Sequence, residues 1–101
     1  MKTKYKSLQQ LFRKESRWTQ CAYARDKEGN EVSIKGKKAV CFCLSGGVEL
    51  VYPGGKGNDV RQQLVDTIKR RNLQYSGITW YNDRTDTTIE DIRSLVKEAG
   101  V

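Results

Sequence analysis

The sequence predicts a small single-domain α+β fold with about four helices around a short β-hairpin. Three observations lead to this class. The chain has 101 residues, which is the size of one domain. Apolar residues recur at helical spacing in four segments, two of which follow residues with the form of a capping box. A Gly-Asn turn separates two short runs in the first half of the chain. We assign residues 7–101 to the domain and residues 1–6 to a basic N-terminal tail.

The first helix is predicted to begin after Ser7 and to end near Glu15. Leu8, Leu11 and Phe12 are spaced as i, i+3 and i+4, so they share one face of a helix. Ser7 and the glutamine three residues later have the form of a capping box, which satisfies free backbone N–H groups at a helix start.

A β-hairpin is predicted over residues 18–34. Residues 27–30 form its turn, because Gly and Asn tolerate the positive φ angles that such turns need. The two arms are residues 21–25 and 31–34, and residues 35–38 form a polar link to the next element.

The most apolar segment, residues 39–52, allows two interpretations. Two adjacent glycines favour a pair of buried strands, because each Gly costs a helix about 1 kcal/mol relative to Ala. The helical offsets 0, 3, 4, 7, 8 and 11 are all filled by apolar or small residues, which favours a helix. We adopt the helix. The residues at these offsets are Val40, Cys43, Leu44, Gly47, Val48 and Val51.

Two further helices are predicted in the second half of the chain. Residues 52–57 read as a loop, and Asn58 then caps a helix from Asp59 to about Arg71, with a stop at Asn72. Residues 73–81 read as a linker that contains one short strand at 78–81.

The last helix is predicted to begin at Thr87, where Thr87 and Glu90 have the form of a second capping box. Its apolar residues repeat at helical spacing up to Ala99. Gly100 then stands where a left-handed residue commonly ends a helix.

The charge of the chain predicts attraction to polyanions. There are 19 Lys and Arg residues against 12 Asp and Glu, a net charge of +7, and the first 17 residues are the most basic part. A solvated, solubilising tail is the alternative. The candidate nucleic-acid contacts are Lys2, Lys4, Lys6, Arg13, Lys14, Arg17, Lys69, Arg70 and Arg71. Four aromatic residues could stack bases, although we prefer to place them in the core. These are Trp18, Tyr23, Trp80 and Tyr81.

The chain contains no histidine, which excludes Ser-His-Asp and Cys-His nucleophilic sites and every His-ligated metal site. Its three cysteines, Cys21, Cys41 and Cys43, are too few for a four-thiolate zinc site. We interpret them as small buried apolar residues and predict no metal and no cofactor. An odd cysteine count without a signal-like N-terminus, and without a long apolar run, predicts a cytoplasmic protein with no membrane partner.

Two other clusters have structural explanations. Gly54, Gly55 and Gly57 with Lys56 precede a helix, but they lack the P-loop spacing, so we interpret them as a connector. The second cluster consists of carboxylates near the start of the last helix, where the helix dipole favours negative charge, and we interpret it as capping. Its members are Asp83, Asp86, Glu90 and Asp91.

Three segments together resemble one known family. They are RWTQCAYARD at 17–26, AVCFCLSGG at 39–47 and WYNDRT at 80–85. In order and spacing these segments resemble DUF6197, a family of small bacterial and phage proteins of unknown function. The resemblance covers about residues 8–99. It implies an intracellular bacterial or phage source and the predicted fold, and it implies no activity.

The sequence departs from the DUF6197 pattern at three positions. Cys21 stands where the pattern has Gly, and Gly47 stands where it has Ala. Tyr81 is inserted between Trp80 and Asn82, so the 80–85 segment is expected to differ in shape here.

The polar and aromatic residues within these family-like segments are the candidate site. They either line a small pocket or form a network of ion pairs and hydrogen bonds, in which Arg25 or Arg84 pairs with Asp83 or Asp26. We prefer the network. The candidate residues are Arg25, Asp26, Trp80, Asn82, Asp83 and Arg84.

We therefore expect a non-enzymatic interaction protein, a bacterial or phage accessory domain that acts on a protein partner and inhibits a host system. One alternative is a nucleic-acid-binding domain that uses the basic N-terminal third. Another is a small-ligand pocket around Arg25 and Asn82. A homodimer through an edge strand of the hairpin is a further expectation.

Overall fold

A computed structural model describes residues 5–71 and 77–101. Within these ranges the chain forms five α-helices, one short 3₁₀ helix and a two-stranded antiparallel sheet, which confirms the predicted α+β class. The elements in chain order are α1 (Leu8–Leu11), the 3₁₀ helix (Glu15–Arg17), β1 (Ala24–Arg25), β2 (Cys41–Phe42), α2 (Leu44–Val51), α3 (Gly55–Arg70), α4 (Ile78–Asp83) and α5 (Ile89–Ala99). Most of the predicted tail, residues 1–4, lies outside the described residues.

The core lies between the helices, with α2 in contact with α1, α3 and α4, and with α5 packed on α1 and α3. Each helix contributes buried apolar residues to this core. Burial of a leucine or isoleucine side chain stabilises the fold by about 1.5–3 kcal/mol, so this cluster accounts for most of the stability. Its fully buried members include Leu8, Leu11, Phe12, Leu44, Val48, Leu64, Ile68, Ile92 and Leu95.

Helix α1 begins as predicted but ends early. Ser7 accepts a hydrogen bond from the N–H of Gln10, as a capping residue does. The predicted end near Glu15 is wrong, because α1 stops at Leu11. The side chain of Arg17 donates to the carbonyls of Gln10 and Leu11 at 2.9 and 2.6 Å, and Arg93 from α5 donates to the next two carbonyls. Arginine side chains therefore satisfy the carbonyls that a longer helix would have used.

The predicted turn at 27–30 is present, but the strand pairing differs. The N–H of Asp26 donates to the carbonyl of Asn30, and Gly29 has φ 89°. However, β1 pairs antiparallel with β2, and the arm at 31–34 joins β1 through an isolated bridge between Arg25 and Glu31 and one further hydrogen bond. The paired segments are Ala24–Arg25 and Cys41–Phe42, so the main pairing spans the whole connection between them.

The ambiguous segment 39–52 combines both interpretations. Its first residues form β2, which corrects the prediction of helix from residue 39, and Leu44–Val51 form α2. Cys43 caps α2 by accepting a hydrogen bond from the N–H of Gly46. Only glycine fits at position 46, because a Cβ there would collide with the carbonyl oxygen of Tyr23. Gly46 thus permits the close approach of α2 to Tyr23, the residue before β1, and Gly47 packs against Leu11 and Phe12, so the two glycines do not break the helix.

Helix α3 begins at Gly55, four residues before the predicted start at Asp59, so Asn58 lies inside the helix and is not its cap. Gly54, with φ 75°, is the residue that turns the chain into α3. Gly57 packs against the carbonyl of Tyr52, where a larger residue would collide. Glycine has a low helix propensity, so the sequence does not indicate a helix that begins with glycines. The start of α3 was therefore predicted too late. The predicted stop at Asn72 lies outside the described residues.

The predicted strand at 78–81 is wrong, because Ile78–Asp83 form helix α4. Ile78, Tyr81 and Asn82 are buried at the spacing i, i+3 and i+4. Asn82 completes this buried face. Because Asn82 is polar, the hydrophobic spacing of the sequence did not indicate a helix here. Residues 73–76 of the predicted linker lie outside the described residues.

Helix α5 is confirmed with a start shifted by two residues. Its cap is Thr88, which forms the capping box with Asp91. The predicted cap, Thr87, is buried instead, and its hydroxyl donates to the carbonyl of Tyr81 at 2.8 Å. Gly100 adopts the predicted left-handed conformation, with φ 76°.

Candidate functional site

Asn82 is the buried centre of the candidate site, and its amide has all four hydrogen bonds that it can form. Its Oδ1 accepts from the indole N–H of Trp18 at 2.7 Å and from the N–H of Leu44 at 3.0 Å. Its Nδ2 donates to the carbonyl of Thr19 at 3.1 Å and to Oδ1 of Asp83 at 2.8 Å. One side chain therefore connects α4, the start of α2 and the segment that leads to β1.

Two neighbouring residues extend this network. The side-chain amide of Gln20 donates to the carbonyls of Asn82 and Arg84, both at 2.8 Å. Oδ1 of Asp83 accepts the N–H of Cys21 at 2.9 Å. Residues 18–21 are thus held to α4 by both side-chain and backbone bonds, and the family-like segments at 17–26 and 80–85 meet here.

Arg25 ends β1, and Asp26 begins the turn that follows it. The Arg25 guanidinium donates to the carbonyls of Gly29 and Gln20, at 2.9 and 3.3 Å. The Asp26 carboxylate accepts the N–H groups of Asn30 and Glu28, and these bonds lower the pKa of Asp26, the bond from Asn30 most of all. Both side chains hold the turn in its shape.

Trp80 and Arg84 lie at the outer side of α4. The Arg84 guanidinium stands 5.2 Å from the centre of the Trp80 ring and pairs with Asp86 at 3.1 Å. The predicted pairing of Arg25 or Arg84 with Asp83 or Asp26 is replaced, among the residues that the structure describes, by this pair and by the backbone bonds of Arg25. These contacts support the network interpretation. The small-ligand pocket around Arg25 and Asn82 stays a prediction.

The cysteines occupy three different environments. Burial raises the pKa of the Cys43 thiol, which caps α2. The Cys41 thiol lies 3.7 Å from the carbonyl of Arg25, within reach of a weak hydrogen bond. Cys21 is exposed, which corrects its assignment to the core. In the described part of the chain, no three His, Cys, Asp or Glu side chains are grouped to hold a metal ion.

Several of the predicted nucleic-acid contacts have structural roles. Arg17 binds the carbonyls of α1 and lies 4.9 Å from the centre of the Tyr5 ring. Arg71 pairs with Glu98 at 2.7 Å and donates to the hydroxyl of Tyr81. Arg70 donates to the Thr67 hydroxyl. These arginines act within the fold, which weakens the predicted basic interface.

The other members of that predicted set differ in position. Lys6, Arg13, Lys14 and Lys69 are exposed. Lys2 and Lys4 lie outside the described residues. Nucleic-acid binding by the N-terminal third therefore stays a prediction.

Three of the four predicted core aromatics are at least partly buried, and Tyr23 is not. Trp18 and Trp80 are half-buried, and Tyr81 is buried, which raises the pKa of its hydroxyl. Tyr23 is 60% exposed. In the described part of the chain, Tyr23 and Val40 are the two large hydrophobic residues that are exposed.

Both clusters depart in part from the explanations predicted for them, since Asp83 accepts hydrogen bonds from Cys21 and Asn82, and Asp86 pairs with Arg84. The predicted connector is wrong for three of its four residues, because only Gly54 precedes α3, and Gly55, Lys56 and Gly57 form its first turn. The Lys56 ammonium stands 5.7 Å from the centre of the Tyr52 ring. Asp91 forms the capping box of α5, and Glu90 pairs with an arginine one turn later.

A shallow groove lies beside the exposed ring of Tyr23. We name it the Tyr23 groove; its volume is about 220 Å³, and it is lined by Tyr23, Ile34, Ser45, Glu49 and Arg61. Arg61 reaches the hydroxyl and carbonyl of Ser45 at 3.5 and 3.4 Å and lies 3.7 Å from Glu49. The groove thus has an apolar side and a side where one positive and one negative charge face each other.

A basic loop follows directly after Ile34. Lys35, Lys37 and Lys38 are exposed, and residues 32–40 contain no acidic side chain. We name residues 35–38 the lysine loop; two turns shape it, and it leads to Val40, which is 44% exposed. The sequence predicted a polar link at residues 35–38. The signal available there was a run of lysines between two apolar residues.

The fold and its network define a small α+β domain organised around the buried Asn82 amide. The chain belongs to DUF6197, a family of unknown function whose sequence profile matches residues 6–100. This confirms the resemblance. No curated protein and no solved structure matches the chain. Within residues 5–71 and 77–101, no helix is long and apolar enough to cross a membrane.

The departures from the family pattern have structural counterparts. Cys21, where the pattern has Gly, adopts φ 64°, a conformation that glycine tolerates best. The inserted Tyr81 is a buried residue of α4. A Cβ on Gly47 would stand 3.0 Å from the side chains of Leu11 and Phe12, so these core residues fill the space of the expected alanine.

Proposed function

We propose that this protein is a non-enzymatic binding module that docks onto a protein partner through the Tyr23 groove and the lysine loop. The observation that carries the proposal is the exposed ring of Tyr23 at the mouth of that groove. Tyrosine and arginine are enriched among the residues that dominate binding energies, and here Tyr23 and Arg61 line one groove.

The backbone beneath the ring is firmly held, which favours a binding role. The carbonyl of Tyr23 accepts the N–H of Cys43 at 3.3 Å and packs directly against Gly46. The next residue, Ala24, is buried in the sheet. A side chain presented from a fixed backbone loses less entropy when it binds, so its contacts give more net affinity.

The Asn82 network fixes the positions of the segments that form this surface. It holds the N–H of Leu44 at the start of α2, and α2 carries Ser45 and Glu49 of the groove. It also holds Cys21, two residues before Tyr23, through Asp83. In this proposal the network is a scaffold that positions the binding surface, and its members do not contact the partner.

The setting of this activity is part of the proposal. The resemblance to bacterial and phage sequences supports a cytoplasmic accessory domain whose partner is a bacterial host protein. Such a domain would inhibit a host system by covering a surface that the partner needs. A homodimer that uses the same surface is the competing form of protein binding, and the mass of the purified protein in solution distinguishes the two.

The test is affinity capture from a bacterial lysate with the purified protein as bait. We expect a specific protein to be retained by the wild type and by the matched control Lys97→Ala, which alters an exposed residue of α5. Tyr23→Ala should lose that protein while it keeps the thermal stability of the wild type. Equal retention by Tyr23→Ala, or no specific protein with any bait, contradicts the proposal.

Nucleic-acid binding is the second candidate function, because a free tyrosine ring beside lysines can stack a base next to a phosphate. The observation that favours it is the position of the lysine loop directly after Ile34 of the groove. Fluorescence anisotropy with labelled single-stranded and duplex nucleic acids at low and physiological salt tests it. Binding that falls steeply with salt supports this candidate, and no binding at low salt rules it out.

A further inference from the structure

We infer that the partner segment seated on this surface is acidic, with an apolar side chain in the Tyr23 groove and carboxylates against the lysine loop. The inference rests on the proposed function and adds the chemistry of the partner. Its basis is the contrast between a charge-balanced groove and the exposed lysine loop that directly follows Ile34 of the groove lining.

The groove itself has no net charge. Arg61 and Glu49 lie 3.7 Å apart and balance each other, and the remaining lining residues are Tyr23, Ile34 and Ser45. Tyr23 and Ile34 give it an apolar wall. A side chain that enters this groove is therefore selected for apolar surface and not for charge.

The lysine loop carries cations that no ion pair in the described part of the chain balances. None of the ion pairs among the described residues includes Lys35, Lys37 or Lys38. Lys38 does act on Asp26, whose pKa it helps to lower. However, the Asp26 carboxylate already accepts two N–H groups within its own turn. Lys35 and Lys37 consequently face solvent without an acid in contact, and complementary charge on a partner would both steer and retain it.

The arrangement favours a peptide over a nucleic-acid strand. A strand needs a continuous cationic path for its phosphates and several aromatic platforms for its bases. Here Glu49 lines the groove, and Tyr23 is the large exposed aromatic residue in the described part of the chain. A peptide with one apolar side chain flanked by carboxylates therefore matches this surface better than a nucleic-acid strand does.

The experiment uses four fluorescein-labelled probes of equal length: a peptide that alternates Glu with Phe, a Glu-only peptide, a peptide that alternates Lys with Phe, and an oligo-dT strand. Anisotropy titrations give the dissociation constant of each. We expect the Glu–Phe peptide to bind tightest, by roughly tenfold over each other probe. Tyr23→Ala and the double variant Lys35→Glu/Lys37→Glu should each weaken it by roughly tenfold. The charge-matched control Lys69→Glu/Lys97→Glu should bind it like the wild type.

Two results overturn the inference. One is tightest binding of the oligo-dT strand, which would identify the lysine loop as a phosphate-binding site. The other is Glu–Phe binding that is absent or that is equally affected by the control variant. The lysate capture distinguishes this failure from failure of the proposed function. If the retained protein is lost with Tyr23→Ala but not with Lys35→Glu/Lys37→Glu, the proposed docking surface stands and the inference of an acidic partner is wrong.

Discussion

The indole N–H of Trp18 donates to Oδ1 of Asn82 across 2.7 Å and joins two positions 64 residues apart in the chain. The same oxygen accepts the N–H of Leu44, and the amide nitrogen of Asn82 holds the carbonyl of Thr19. A buried amide that bonds to two distant segments specifies one arrangement of those segments around α4, because any other arrangement leaves buried polar groups unpaired.

The first prediction concerns this amide. Asn82→Ala should lower the free energy of unfolding by about 3 kcal/mol, because it leaves the N–H groups of Trp18 and Leu44 without their acceptor. Urea unfolding measures the change. The control Asn58→Ala removes an exposed asparagine within α3 and should leave stability unchanged or slightly raised. A loss no larger than that of the control would show that the network does not hold the fold.

The second prediction compares two glycines. Gly46→Ala should destabilise the protein by about 3 kcal/mol, because its Cβ would collide with the backbone carbonyl of Tyr23. Gly55→Ala meets open space at the start of α3 and should stabilise by about 0.5 kcal/mol through lower entropy of the unfolded chain. Thermal unfolding of both variants measures the difference. Equal melting temperatures would contradict the close approach of Tyr23 to α2.

The third prediction concerns the strained backbone at Cys21. Its φ of 64° costs a residue with a side chain about 1 kcal/mol, so Cys21→Gly should raise the free energy of unfolding by up to that amount. Cys21→Ala keeps the strain and removes the thiol, so its stability should match the wild type. Denaturant midpoints report both changes. Stabilisation by Ala as well as by Gly would assign the effect to the thiol and not to the backbone.

The fourth prediction is a pH dependence that comes from Asp26. Its pKa is lower in the folded protein than in the unfolded chain, because its carboxylate accepts two N–H groups of the turn. The resulting stabilisation is complete above the unfolded pKa, about 4, and is lost as the pH falls through the folded pKa. Asp26→Asn should therefore lose less stability than the wild type on acidification. Parallel curves for the two proteins would exclude Asp26 as a source of acid sensitivity.

The sequence predicted correctly those elements whose helical spacing and capping contacts lie within a few residues of one another. The face of α5, its left-handed Gly100 and the cap at Ser7 follow from spacing and capping chemistry within a few residues. The α4 prediction failed because β-branched and aromatic residues favour a strand, whereas the buried face of α4 includes the polar Asn82, whose hydrogen-bond partners lie in distant segments.

The candidate site was predicted in part. The family-like segments pointed to Asn82 and Asp83, but the roles of Gln20 and Cys21 required the positions of their partners. The Tyr23 groove could not be predicted from sequence, because Ser45, Glu49 and Arg61 reach it from two helices whose packing no local pattern specifies. The pairing of β1 with β2 has the same cause, since it is a contact between segments and not a property of either one.

The central claim is that Tyr23 meets a protein partner in the cell. The most direct test places a photo-reactive phenylalanine analogue at position 23 and, as a control, at the exposed position 62 on α3. Irradiation of living cells should give a discrete cross-linked protein from position 23, and that product should be absent from position 62. Lack of a cross-link at position 23, or the same product from both positions, would contradict the claim that this surface is an interface.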